Sequence, residues 1–200
     1  MKLNNRTGTS LLLGCLVMIA TATLYAEAPT TAEVELNRDR FPEALGFRFG
    51  DISGMGLSYH RWMGSTGFEI AGGILYFPLA VQADFPIVLD YSIGLQVNRS
   101  VFASDYSDRV SGQLYLVAGI SHRGEIEREF TTGGSGQVTA GPFVPSIGVG
   151  GGLGIEIVLF DHFSFPIEVL YAPIWSYTGE PFLESVRITL AAQTGFRYRF

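Results

Sequence analysis

The sequence predicts an all-β fold: an eight-stranded antiparallel up-and-down transmembrane β-barrel over residues 44–200. Three observations predict it. From Leu45 onward, apolar residues recur with a period of two, which is the strand signal. The alternate positions carry Gly, Ala, Ser and isolated charges, a poor surface for water. Of the whole chain, 47% is hydrophobic and only 16% charged, so little of the exterior can be a solvated, charged surface.

The first segment stands apart from this pattern. Lys2 and Arg6 precede an apolar run from Leu11 to Ala20, followed by small residues up to Ala26. That order is the one of a secretory signal peptide, so residues 1–26 are read as cleaved after Ala26, with Ala22 as the alternative. The run is too short for a spanning helix, which needs about 20 residues. Leu12-Leu13-Gly14-Cys15 resembles a lipoprotein cleavage box, but Leu16 to Ile19 continue the apolar run beyond it, so lipidation is not expected. Cys15 is the single cysteine, and after cleavage no thiol chemistry is left. Beyond residue 26 there is no lysine, and 11 arginines face 19 acidic residues for a net charge of −8. An acidic chain without a basic patch is a poor partner for nucleic acid. Residues 27–43, with Pro29, Glu33, Glu35 and Asp39, read as a polar periplasmic lead-in.

The strands follow in order as roughly 44–50, 55–62, 66–78, 86–98, 110–122, 144–160, 163–177 and 184–200. Leu45, Phe47 and Phe49 alternate with Gly46 and Arg48. The second strand is the least regular, because Arg61 shares a face with Leu57 and Tyr59. Phe68, Ile70 and Ile74 alternate with Glu69, Ala71 and Gly73. Ile93, Leu95 and Val97 alternate with Gly94, Gln96 and Asn98. Leu114, Leu116 and Ile120 alternate with Gln113, Tyr115 and Gly119. Ile147, Leu153 and Ile155 alternate with Gly148, Gly150, Gly152 and Gly154, and Ile167, Val169 and Tyr171 with Glu168 and Ala172. An even strand number returns both ends of the barrel to one side. Gly64-Ser65, residues 99–109 and Asp161-His162 connect strands on that side. The Asp51–Gly54 turn and residues 79–85, 123–143 and 178–183 lie opposite, with 123–143 the longest. Short periplasmic turns and longer external loops are the outer-membrane arrangement.

The last strand fixes the register. Ile188, Leu190, Ala192, Thr194, Phe196, Tyr198 and Phe200 share one face, and Arg187, Gln193, Gly195, Arg197 and Arg199 the other. An arginine facing lipid at the bilayer midplane costs about 2–4 kcal/mol, so the apolar face must look outward. A soluble lipocalin-like carrier would instead turn its apolar face inward around a ligand. The Gly- and Ala-rich set here suits the narrow interior of eight strands better than it suits contact with water.

In this arrangement the chain resembles the small eight-stranded outer-membrane proteins of Gram-negative-type bacteria, the broad OmpA-barrel and OmpX-like class. The resemblance covers about residues 44–200 and is architectural except at Gly195-Phe196-Arg197-Tyr198-Arg199-Phe200, which is similar to the terminal strand signal of that class. It implies the cell outer membrane as location, outer-membrane lipid as surroundings, and the barrel-assembly machinery as a transient partner of Phe196, Tyr198 and Phe200.

Inside such a barrel, Arg48, Glu69, Asp90, Glu156, Glu168, Arg187, Arg197 and Arg199 point to the lumen by register. Buried charges must pair or remain costly, so an internal salt-bridge network that plugs the lumen is expected. Some barrels of this size modify lipid A by deacylation or acyl transfer, which needs a nucleophile, a base and an orienting carboxylate. Ser58 and His60 share a face at about 7 Å, too far for a direct hydrogen bond. Ser121 and His122 lie on opposite faces and His162 is in a turn, so no catalytic residue is assigned. The scattered histidines give no metal spacing, the glycine runs form no phosphate loop, and no cofactor is expected. Residues 123–143, with Glu125, Glu127, Arg128 and Glu129 followed by a Gly/Ser stretch, are the best candidate for contact with an extracellular ligand. The expected role is non-enzymatic, structural or surface-binding. A lipid A-modifying enzyme and a periplasmic carrier are the alternatives.

Overall fold

The computed structural model describes residues 37–76, 87–107, 109–130, 138–177 and 185–200. The expected signal peptide (residues 1–26, with Cys15), residues 27–36 and the expected connections 79–85 and 178–183 lie outside them. Among the described residues one short helix, α1 (Asn37–Arg40), leads into eight strands. These are β1 (Glu43–Phe49), β2 (Gly56–Met63), β3 (Thr66–Tyr76), β4 (Ile87–Ser107), β5 (Val110–Phe130), β6 (Val138–Leu159), β7 (Phe163–Ser176) and β8 (Val186–Arg199). Each pairs antiparallel with its sequence neighbours, and β1 pairs with β8 from Ala44↔Arg199 to Phe49↔Thr194. The sheet therefore closes on itself and leaves no free edge along this section.

Alternation decides which side of the wall each residue occupies. Along β8, Ala191, Gln193, Gly195, Arg197 and Arg199 are buried while Ala192, Thr194, Phe196 and Tyr198 are exposed. The same two-residue beat runs through β7 from Phe163 to Ala172 and through β4 from Asp90 to Asn98. Large apolar side chains point outward on every strand, among them Phe47, Leu57, Ile70, Leu95, Ile120, Ile155, Ile167 and Leu190. Arg61 also points outward, near the end of β2, where it pairs with Glu43 at 3.4 Å. Among the described residues no helix is long and apolar enough to cross a membrane.

At the end where β1 begins and β8 ends, the β2–β3 and β6–β7 turns are tight. Between β6 and β7 the His162 N–H donates to the Leu159 carbonyl at 3.3 Å, with Phe160 and Asp161 both at positive φ (52° and 67°). Two such residues in sequence match the twist of a hairpin, although neither is glycine.

Three connections differ from the sequence expectation. Residues 99–109 are mostly strand, since β4 and β5 stay paired, through bulges, to Ser107↔Val110. Residues 123–143 are mostly strand as well: β5 and β6 stay paired through Arg123↔Ser146, Ile126↔Phe143 and Phe130↔Val138, and only 131–137 fall outside the described residues. β4, β5 and β6, at 21, 21 and 22 residues, are about twice the length needed to cross a bilayer. The reason is physical. Backbone pairing can continue where side chains meet water on both faces, and there the apolar beat that reveals a strand is absent. The third difference is the Asp51–Gly54 turn. It does not project outward, because only Asp51 is exposed while Ile52, Ser53 and Gly54 are buried within the wall.

Candidate functional site

The interior is where charge concentrates. Arg48 on β1, Glu69 on β3, Glu156 on β6, Glu168 on β7, and Arg197 and Arg199 on β8 are all buried on the lumen side. They form one chain of alternating sign. Glu168 meets Arg48 at 2.5 Å, and Arg48 meets Glu69 at 3.3 Å. Glu69 meets Arg197 at 3.3 Å, Arg197 meets Glu156 at 3.1 Å, and Glu156 meets Arg199 at 2.6 Å. Three cations and three anions cancel, which is the condition for holding so many charges away from water.

Neutral side chains complete the two ends of this chain. Glu168 also accepts from the Tyr115 hydroxyl at 2.6 Å, the Gln96 amide at 3.3 Å and the Gln193 amide. Glu156 also accepts from Ser164 and Gln113. Arg48 donates to Gln96 Oε1 at 3.1 Å. Sequence reasoning counted only the charges. The signal for these partners was available, since Gln96, Gln113, Tyr115, Ser164 and Gln193 share the inward beat of the strands that carry the charges or face them.

Two of the eight expected lumen charges lie outside the chain. Asp90 is buried but pairs with Arg123, which donates Nε at 2.9 Å and Nη2 at 2.6 Å in a two-pronged contact. Arg187 is exposed. Its beat is inward, but it stands at the start of β8 beyond the last buried level, and alternation carries no information about depth. Arg123 is the missed cation: reading 123–143 as loop removed it from the strand, whereas β5 continues through it on the inward beat.

The histidines do not assemble a catalytic group among the described residues. Ser58 and His60 are both buried, yet the Ser58 hydroxyl has no hydrogen-bond partner, so the two are not bonded. His60 Nε2 lies 3.5 Å from Asn98 Nδ2, and its ring meets Trp62 edge-on. His122 stacks on Tyr91, with Nδ1 3.3 Å from the tyrosine hydroxyl, while Ser121 is buried on the opposite face. His162 Nδ1 is 2.8 Å from the Arg199 carbonyl in the β6–β7 turn. Among the described residues no group of three or more His, Cys, Asp or Glu side chains could hold a metal ion.

The end strand forms an outward aromatic surface. Phe196 stacks with Phe163 at 5.9 Å and meets Phe165 at 5.2 Å, and Tyr198 stacks on His162 at 5.1 Å. The Phe200 N–H donates to the Glu43 carbonyl at 2.9 Å, which ties the end of β8 to the start of β1. At the same end, the Arg38 guanidinium of α1 sits 5.9 Å from the Trp62 ring centre.

The closed ladder of eight antiparallel strands decides the architecture. The fold is a small up-and-down β-barrel. Among solved structures, the N-terminal β-barrel domain of Pseudomonas aeruginosa OprF is similar over 79% of this chain and 94% of its own, at 13% identity and a TM-score of 0.41. Ail, the attachment invasion locus protein of Yersinia pestis, is similar over 80% of this chain and 95% of its own, at 15% identity and a TM-score of 0.32. No protein-family model and no curated protein matches the sequence.

Proposed function

We propose that the chain is a non-enzymatic barrel of the cell outer membrane, with a structural or surface-interaction role and a lumen closed by its own side chains. The observation that carries this reading is the inversion of the usual protein plan. Seven charged side chains are buried, while apolar side chains as large as Leu190 (72% exposed) and Ile74 (69%) cover the outside. Water does not stabilise such an exterior, and exposed apolar surface on this scale calls for an apolar partner. A closed barrel is one of the two backbone arrangements that can cross a bilayer. On this reading the partner is outer-membrane lipid, and Phe196, Tyr198 and Phe200 serve the barrel-assembly machinery before they join the apolar belt.

The surface role falls to the β5–β6 hairpin. It continues to Phe130↔Val138, beyond the last described pairs with β4 (Ile87↔Glu127) and β7 (Ser146↔Ser176). It is the part of the barrel best placed to reach an extracellular ligand. The carrier reading has less support, because an outward apolar face leaves no apolar chamber for a ligand. The lipid A enzyme reading has less too, because Ser58 and His60 are enclosed and not bonded to each other.

Detergent partition with heat-modifiable gel mobility tests the reading. Recovery in the detergent phase and a mobility shift on boiling are expected. Full solubility without detergent overturns it.

A further inference from the structure

The Asp51–Gly54 turn is short, joins β1 to β2 at their ends away from Phe200, and folds into the barrel level with Gly94, Gly119 and Gly150. Ile52 is fully buried, although it lies in a connection between two strands. Around it the wall has been emptied of side chains. A Cβ built at Gly148 would lie 2.8 Å from Ile52 Cδ1, one at Gly150 2.9 Å from Cγ1, and one at Gly119 3.0 Å from Cγ2. A Cβ at Gly94 would collide with the backbone of Ser53. Four glycines on three strands thus form a receptacle for one turn, with Ala172 and Leu170 in the same apolar cluster.

The turn is also fastened. The Ser53 N–H donates to Gln193 Oε1 at 3.0 Å, and Gln193 in turn donates to Glu168. The Met55 N–H donates to Ser92 Oγ at 2.7 Å. Gly54 turns the chain back at φ +85°, where a side chain would be strained and would also press on the Ala71 carbonyl at 2.7 Å. A connection that merely joined two strands would need neither an apolar anchor nor glycines in three other strands.

We propose that the Asp51–Gly54 turn is an inward-folded plug that closes the outer half of the lumen to solutes, with Ile52 as its stopper and Gln193 as its tie to the ionic chain. This inference rests on the closed-lumen reading above and names the element that closes its outer side. Removing the stopper opens the receptacle to solution without touching the ion pairs below it.

Thiol accessibility tests it. In a chain carrying Cys15→Ser, Ala172→Cys places a single thiol at a fully buried wall position beside Ile52. A small charged thiol reagent is applied to the folded protein in detergent, with folding checked by heat-modifiable mobility. With Ile52 in place, labelling should be slow. With Ile52→Asp, whose charge cannot stay in an apolar receptacle, it should be about ten-fold faster or more, the scale expected when a local closing contact is lost. Should Ile52→Asp not fold, Ile52→Gly supplies the same comparison. Equal labelling with and without the isoleucine, whether fast or slow in both, overturns the proposal. Because labelling in detergent does not depend on residence in the outer membrane, this result and the partition result can fail separately.

Discussion

Glu168 accepts hydrogen bonds from four side chains on four strands: Arg48 on β1, Gln96 on β4, Tyr115 on β5 and Gln193 on β8. Cutting it back leaves Arg48 with Glu69 as its remaining carboxylate, at 3.3 Å. Breaking a buried ion pair from one side costs about 3–5 kcal/mol, because the surviving charge stays enclosed. Glu168→Ala is therefore expected to lose stability on that scale, and Glu168→Gln less, since the amide keeps the shape and part of the hydrogen bonding. Denaturant titration of the heat-modifiable folded band measures both, and equal stability of all three proteins would contradict a stabilising hub. At this scale the sequence was legible in one respect and silent in another. Parity placed Arg48, Glu69, Glu156, Glu168, Arg197 and Arg199 inside, because a two-residue period leaves no other choice once one face is apolar. Depth was not legible. Arg187 and Arg197 share a parity on β8, yet one is exposed and the other enclosed.

The elements differ in how much of themselves they disclose. β7 and β8 meet lipid on one face, on the reading proposed here, and a packed interior on the other. Their alternation is strict, and their predicted bounds nearly match the observed ones. β4, β5 and β6 run past that zone, and there their sequences resemble loops although the backbone stays paired. The turn at 51–54 was hidden for a different reason: four lines of tertiary information, the glycines at 94, 119, 148 and 150, are needed to see where Ile52 goes. Two predictions belong at this scale. In the outward row of β7, Ile167 is central, between Phe163 and Tyr171. Ile167→Arg should cost about 2–4 kcal/mol in lipid vesicles, the range for a midplane cation, measured by denaturant-driven unfolding from the bilayer. A cost near zero would place this row away from the midplane. In the β6–β7 turn, Phe160 and Asp161 occupy left-handed conformations that cost about 1–2 kcal/mol per ordinary residue. Replacing the pair with Asn-Gly should stabilise the barrel by roughly 1 kcal/mol, and a loss of stability would mean that the Phe160 and Asp161 side chains contribute more than their backbone costs.

For the molecule as a whole, the question is what passes through it. Eight strands enclose a space just wide enough for side chains to fill. Here that space holds a six-member ionic chain with no net charge, bounded by the aromatic pair Trp62 and Tyr115 and by buried glutamine, asparagine and serine side chains. An ion crossing this interior would have to separate paired charges from one another, and the low local dielectric makes that costly. A larger solute would have to displace whole side chains from a closed wall. Planar-bilayer recording of the reconstituted protein is therefore expected to show no steady, large channel. Salt offers a sharper form of the same test. Exposed ion pairs weaken as ionic strength rises, whereas enclosed ones are screened much less. Conductance should stay low from dilute to molar salt, apart from the trivial change in bulk conductivity. A steady channel that appears as salt rises would mean that the six charges are reached by the solution, and would overturn the closed interior even if the barrel itself stands.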